Sequence, residues 1–229
     1  MLGRNFRICT RTVSSRFEDG KVINAHHCYL TAPANSAIEN DNEVVVFNGS
    51  FRFPSIYRGP PTPELDQAWV DISTGVRLGR LTRDQLLKLG KEDTPSKVKY
   101  LPEDGGGYMV ALEATHQLHC LNTLRKYLYF DHYSKFDPFF TEAKPETYRT
   151  HLEHCLEILR QALMCSADTG MITFEWVRGF SGAYPDFNTK HQCRNFEKLI
   201  AWQNANGIQD IPESRIVRQE GEIDLVNPP

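Results

Sequence analysis

No apolar run in the 229-residue chain approaches the roughly 18 residues that a membrane-crossing helix needs, so the sequence as it stands is not expected to span a bilayer. Behind the basic residues of the first dozen positions there is no apolar stretch, so no secretory signal is read there. Basic residues are not in excess: 26 Lys and Arg stand against 29 Asp and Glu, a formal charge of −3, which argues against binding nucleic acid through its phosphates. Glycine (15) and proline (13) are modest and aperiodic, which excludes collagen-like and low-complexity readings. What remains, 40% hydrophobic and 24% charged, suits one globular domain large enough to bury a core. The distinctive content is histidine and cysteine.

Along the chain, residues 1–42 lack an amphipathic period and read as a weakly ordered N-terminal extension. Residues 43–204 carry the patterned segments, and 205–229 are charged and end in Asn-Pro-Pro, a C-terminal tail. The β-branched run Glu43–Phe47 before Asn48-Gly49 predicts a strand and turn. Thr62-Pro63-Glu64 predicts a helix start, Thr82–Leu89 before Gly90 a short helix, and Tyr108–Leu112 a second strand. Longer helical patterns cover about 115–130, 147–165 and 189–204. The expected fold class is α+β, mainly helical, with a few short strands.

One self-match dominates. His116-Gln117-Leu118-His119-Cys120-Leu121-Asn122-Thr123-Leu124-Arg125 aligns with His151-Leu152-Glu153-His154-Cys155-Leu156-Glu157-Ile158-Leu159-Arg160, and both read H-x-x-H-C-L-x-x-L-R. On a helix, positions i, i+3 and i+4 share a face, so His116, His119 and Cys120 form one edge, and His151, His154 and Cys155 another. Beside each edge runs an apolar stripe, Leu121/Leu124/Leu128 and Leu152/Leu156/Leu159/Leu163, which reads as the packing seam. Should those seams pack together on facing helices, the four imidazoles converge. Imidazoles held that way suit copper, zinc, iron or nickel, and the shortage of aligned carboxylates disfavours magnesium and calcium.

The cysteines admit two readings. Cys120 and Cys155 are thiolate ligands of a mixed His/Cys site, or they form a bridge between the helices, with Cys165 and Cys193 as a second bridge. Their equivalent positions on opposing helices favour bridges. His191, in a further His-x-Cys element, is a candidate fifth ligand or a supporting base, weighed against a structural role. His132 and the Tyr127/Tyr129/Tyr133 run read as packing, and His26-His27-Cys28 as a weak metal candidate. Gly105-Gly106-Gly107 is a turn, not a phosphate loop.

With these residues in view, the chain resembles the fungal UstYa-like oxidases, named for a protein of ustiloxin mycotoxin biosynthesis, whose hallmark is a pair of H-x-x-H-C motifs. Pro63–Trp69, Gly106–Val110, Asp186-Phe187 and His191–Phe196 extend the likeness across about residues 43–204. The resemblance implies an oxidoreductase using copper, with zinc or iron as alternatives, and dioxygen as co-substrate. It implies oxidative cyclisation, hydroxylation or a related C–H or O–H oxidation of a small-molecule or ribosomal, peptide-derived substrate. His116, His119, His151 and His154 would be the functional histidines, with Cys120 and Cys155 completing the motifs. Pairing with a second copy or a paralogue, and a location in the secretory-pathway lumen or endomembrane, are also implied, and the sequon Asn48-Gly49-Ser50 is compatible with that location. The competing reading is a non-redox module stabilised by zinc, or an inactive partner of a paralogous oxidase.

Overall fold

A computed structural model describes residues 32–39, 41–208 and 211–227. Most of its elements are short, and several helices are capped by a side chain at their starts. α1 (Asn35–Ile38) precedes β1 (Asn42–Val46), and α2 (Pro63–Asp71) opens on Thr62, whose hydroxyl accepts the Leu65 amide. β2 (Gly79–Leu81) runs into α3 (Arg83–Lys88), where Thr82 and Gln85 form a reciprocal capping box. β3 (Tyr108–Val110) leads into α4 (Glu113–Leu128), followed by α5 (Phe130–Tyr133), α6 (Pro138–Thr141) and α7 (Pro145–Ser166). The chain closes with β4 (Thr173–Trp176), β5 (Ala183–Asp186), β6 (Lys190–Arg194) and α8 (Phe196–Asn206).

The strands pair antiparallel as three separate ribbons, β1 with β6, β2 with β3 and β4 with β5. A two-stranded ribbon hides little on its own, so the main core lies among the helices. Tyr133, Phe140, Tyr148 and Leu152 form it, flanked by Leu124 and Phe130. The protein is mixed α and β and mainly helical.

One charged cluster fixes α2 against α4. Buried Arg125 reaches Asp66 Oδ1 at 2.5 Å, and it also donates to the Tyr133 hydroxyl and to Asn122 Oδ1, both at 2.8 Å. The Tyr133 hydroxyl in turn donates to Asp66 at 2.7 Å. Burial and the adjacent Asp66 push the Tyr133 phenol up to about 12, so it remains a donor at any ordinary pH. With every member partnered, the cluster is a brace for the N-terminal half of the helical layer.

Two sequence expectations need correction. The helix expected over 189–204 is a strand followed by a helix. Residues 190–194 pair with β1, and Asn195 then caps α8 through the Lys198 amide. Alternating burial along Lys190–Arg194 follows the period of two that a strand imposes. The second correction concerns the helical seam. Leu121, Leu128, Leu156 and Leu163 are exposed, whereas Cys120, Thr123, Leu152 and Cys155 are buried. α4 and α7 therefore meet through the His/Cys edges, not through the leucine stripes. Leu152 alone of its stripe joins the core.

Residues 211–227 lie along the loop before β3: the Gln219 side chain donates to the Lys99 and Tyr100 carbonyls, and Arg215 pairs with Asp104 at 2.8 Å.

Candidate metal centre

Both motifs sit on the long helices, His116, His119 and Cys120 on α4 and His151, His154 and Cys155 on α7. Pro145 and Glu146 suit the first turn of α7, and Arg125 with Lys126 suits the last turn of α4, so the motif segments lie well inside stable helix. Across the interface the ring of His116 lies 5.8 Å from that of His154, and His119 lies 5.8 Å from His151. The first histidine of each motif thus faces the second histidine of the other. That exchange is what an antiparallel crossing of two copies of one sequence produces. Cys120 and Cys155, the equivalent positions, meet near the local two-fold and are fully buried.

Within this group, one donor atom each from His116, Cys120 and His154 lie within 4.8 Å of one another, a spacing that a single ion can draw together. His116 Nε2 stands 3.8 Å from Cys120 Sγ, while Glu113 Oε2 lies 3.5 Å from His116 Nδ1. The carboxylate stands near the outer nitrogen, and the inner one is turned toward the sulfur. The His151 ring is 6.2 Å from His154 and packs edge-on against Phe139 at 5.0 Å. Burial, followed by the neighbouring imidazoles, lowers the affinity of His119 and His151 for protons. Neutral imidazole, the form with a lone pair to give, is therefore the favoured state of both.

The two cysteines, equivalent in sequence, form one buried pair. Cys120 and Cys155 are free thiols here, so the bridge expected between them is not formed. Burial and hydrogen bonding to Cys120 push the Cys155 thiol up to about 12. Its proton is shared with the Cys120 sulfur, and only Cys120 joins the histidines in the three-donor group. Cys193 is also a thiol, in β6 opposite Glu43, and Cys165 is exposed at the end of α7.

The other candidates fall elsewhere. His191 is not in the helical cluster. It lies on β6 opposite Val45, stacks on Phe47 at 3.7 Å, and engages Asp168 and Thr189 through its two ring nitrogens. With both nitrogens occupied it is not a ligand of that cluster, which corrects the expectation that placed it there. His132 packs on Tyr133 and Phe136, as a structural histidine does. Tyr127 packs against Phe130 and Phe140. Glu157 does not support a histidine: Arg160, then Gln161, bind its carboxylate and hold it down to about 2. His26, His27 and Cys28 lie outside the described residues. Sequence reasoning passed over Asp168 and Thr189. The available signal was Thr-x-His, two residues apart on one strand face, hidden by reading that segment as helix.

The sequence profile of the family described as "Mycotoxin biosynthesis protein UstYa" matches residues 5–206. The chain belongs to that family. It is similar to UstYa family oxidase aprY of Aspergillus flavus, with 36% identity over 214 residues, 82% of this chain and 62% of the relative. UstYa family oxidase phomYc of Diaporthe leptostromiformis is 35% identical over 157 residues, 68% of this chain and 61% of the relative. Transacylase cctO of Talaromyces islandicus is 34% identical over 166 residues, 70% of this chain and 55% of the relative. The chain spans about three fifths of the length of the first curated relatives it matches. No solved structure matches it. Relatives of this UstYa-family chain are named oxidases, and its His116/Cys120/His154 group is one that could hold a metal ion. No helix among its described residues is long and apolar enough to cross a membrane.

Proposed function

We propose that this chain is a copper-dependent oxidase of fungal secondary metabolism, acting on a C–H or O–H bond of a peptide-derived or other small substrate. The observation that carries the reading is the convergence of His116, Cys120 and His154 between α4 and α7, with His119 and His151 beside them. The donor set fits the ion: imidazole suits copper, and a thiolate favours its reduced form. His116, His154 and Cys120 would hold it, with His119 and His151 as the further nitrogens within the same helical pair. When bound, copper supplies one-electron redox chemistry with dioxygen as co-substrate.

The chain's own residues do the rest. Glu113 stands beside the outer nitrogen of His116, its Oε2 3.5 Å from Nδ1, where it would favour the tautomer that leaves Nε2 as the lone-pair donor. Phe139 and buried Cys155 restrict water on the core side, while His154 and a third of the His116 side chain face solvent, leaving one approach for a substrate. Relatives named as oxidases support the redox reading; the one named a transacylase shows that the bond acted on varies among them. A luminal location, and assembly with a second copy or a paralogue, belong to the same proposal. Exposed Asn48, the sequon residue at the end of β1, is open to glycosylation there.

The test is metal content and oxygen uptake of the purified protein with a candidate peptide, compared with His119→Ala and His154→Ala. Loss of bound copper and of uptake in both folded variants supports the reading, and unchanged uptake overturns it. The buried thiol also favours a second reading, a structural zinc site in an interaction module. Stoichiometric zinc with no oxygen uptake would select that one.

A further inference from the structure

Away from the helical pair, three side chains form a hydrogen-bonded relay. Asp168 Oδ2 lies 2.9 Å from His191 Nδ1, and His191 Nε2 lies 2.6 Å from Thr189 Oγ1. The carboxylate on Nδ1 places the ring proton there, which leaves Nε2 as the acceptor of the Thr189 hydroxyl. Each member is fixed independently. Thr189 and His191 are two residues apart on one strand face, and the Thr189 carbonyl accepts the Phe47 amide at 2.9 Å, extending the β1–β6 ladder by one step. The other oxygen of Asp168 accepts the Gly170 amide at 2.8 Å, just after Ala167 turns the chain left-handed (φ 44°) at the end of α7. A Cβ at Gly170 would stand 3.1 Å from Asp168 Oδ1 and 3.4 Å from His191 Cε1, so a larger residue presses on the relay. The His191 ring is clamped face-on by Phe47, and its side chain is 13% exposed.

The relay opens on a cavity of about 1160 Å³. Its apolar wall includes Val45, Phe47, Tyr57, Ile172, Phe187 and Phe196, and Asp168, Thr189 and His191 contribute polar groups to the lining. An apolar chamber with a few convergent polar groups is the usual form of a small-molecule site. A hydroxyl on a neutral imidazole that is itself oriented by a carboxylate is the arrangement that makes a weak nucleophile reactive.

We propose that Thr189, His191 and Asp168 form a second, metal-independent site for acyl transfer, taking an ester or thioester of an apolar acyl group. Thr189 Oγ bonds to the acyl carbon as the bond from that carbon to the leaving oxygen or sulfur breaks. The hydroxyl proton passes to His191 Nε2 and from there to the leaving group. In the second half, water or an acceptor alcohol loses its proton to Nε2 and takes the acyl group from Thr189, which regains its proton. No oxidant or reductant enters. Asp168 is a positioning residue, holding the tautomer and steadying the imidazolium. The proposal is independent of the metal-centre reading.

The test treats the full chain with p-nitrophenyl butyrate in the presence of a chelator, so that the helical centre is silent. The expected result is a burst of one nitrophenolate per chain and a butyryl mass increment on the peptide carrying Thr189. Thr189→Ala abolishes the burst and Thr189→Ser keeps it. His191→Gln and Asp168→Asn slow it by about 10²-fold or more. Circular dichroism and metal stoichiometry report that each variant is folded. Absence of the adduct from wild-type Thr189, or a burst that survives in Thr189→Ala, overturns the proposal, and neither outcome bears on the copper site.

Discussion

His116, His119, His151 and His154 face one another across α4 and α7, whereas His191 faces a carboxylate, a hydroxyl and a phenyl ring beside the β1–β6 ribbon. In the first group burial, and then the neighbouring imidazoles, disfavour protonation of His119 and His151. Neutral imidazoles gathered in this way have lone pairs to offer a cation. The second region does the reverse: each ring nitrogen already has a partner of opposite hydrogen-bonding character. These five histidines thus sit in two kinds of environment, set by their neighbours and not by their own identity.

The comparison can be broken in order of effect. Removing ligand atoms should cost most: His116→Ala and His154→Ala are expected to lose bound copper and at least about 10²-fold of oxidase turnover. His191→Ala, by contrast, should retain full metal stoichiometry by elemental analysis, and loss of metal there would merge the two regions. Next comes the brace between α2 and α4. Asp66→Asn leaves Arg125 buried beside a weaker acceptor and should lower unfolding free energy by about 3 kcal/mol in urea, with metal binding following the loss of fold.

A pH effect of smaller size separates the regions further. His119 and His151 bind protons less readily folded than unfolded, where the value is near 6.5, so the unfolded chain takes up more protons as acid is added. Stability of the metal-free protein is therefore full above about pH 6.5 and declines as pH falls below it. Thermal melts of His119→Gln should show a flatter acid limb than wild type, and an identical limb would contradict the burial argument. Last is Glu157→Ala: the Glu157–Arg160 pair is on the surface, so its melting temperature should match wild type despite the strongly lowered carboxyl.

Much of the metal centre was legible because a doubled motif at helical spacing leaves few alternatives. Three-residue and four-residue offsets put His116, His119 and Cys120 on one edge whatever surrounds them. What spacing cannot say is which edge faces the partner helix. The leucine stripes look like the seam, yet Leu121, Leu128, Leu156 and Leu163 face outward and the His/Cys edges meet. Equivalent placement of Cys120 and Cys155 likewise suggests a bridge, but it does not distinguish a bond from a thiol pair. The β6 segment was illegible for another reason. Lys190–Arg194 shows a strand's alternation over only five residues, and the helix behind it supplies a stronger signal. Reading it as helix placed Thr189 and His191 on different faces and hid their contact.

A metal ion bound between α4 and α7 should take its sulfur from Cys120 and not from Cys155. Cobalt(II), a spectroscopic stand-in for the native ion, tests it in the full chain through the thiolate-to-cobalt charge-transfer band in the near ultraviolet. The band should appear in wild type, persist in Cys155→Ser and vanish in Cys120→Ser. Its persistence in Cys120→Ser, or its absence from wild type, would contradict the account.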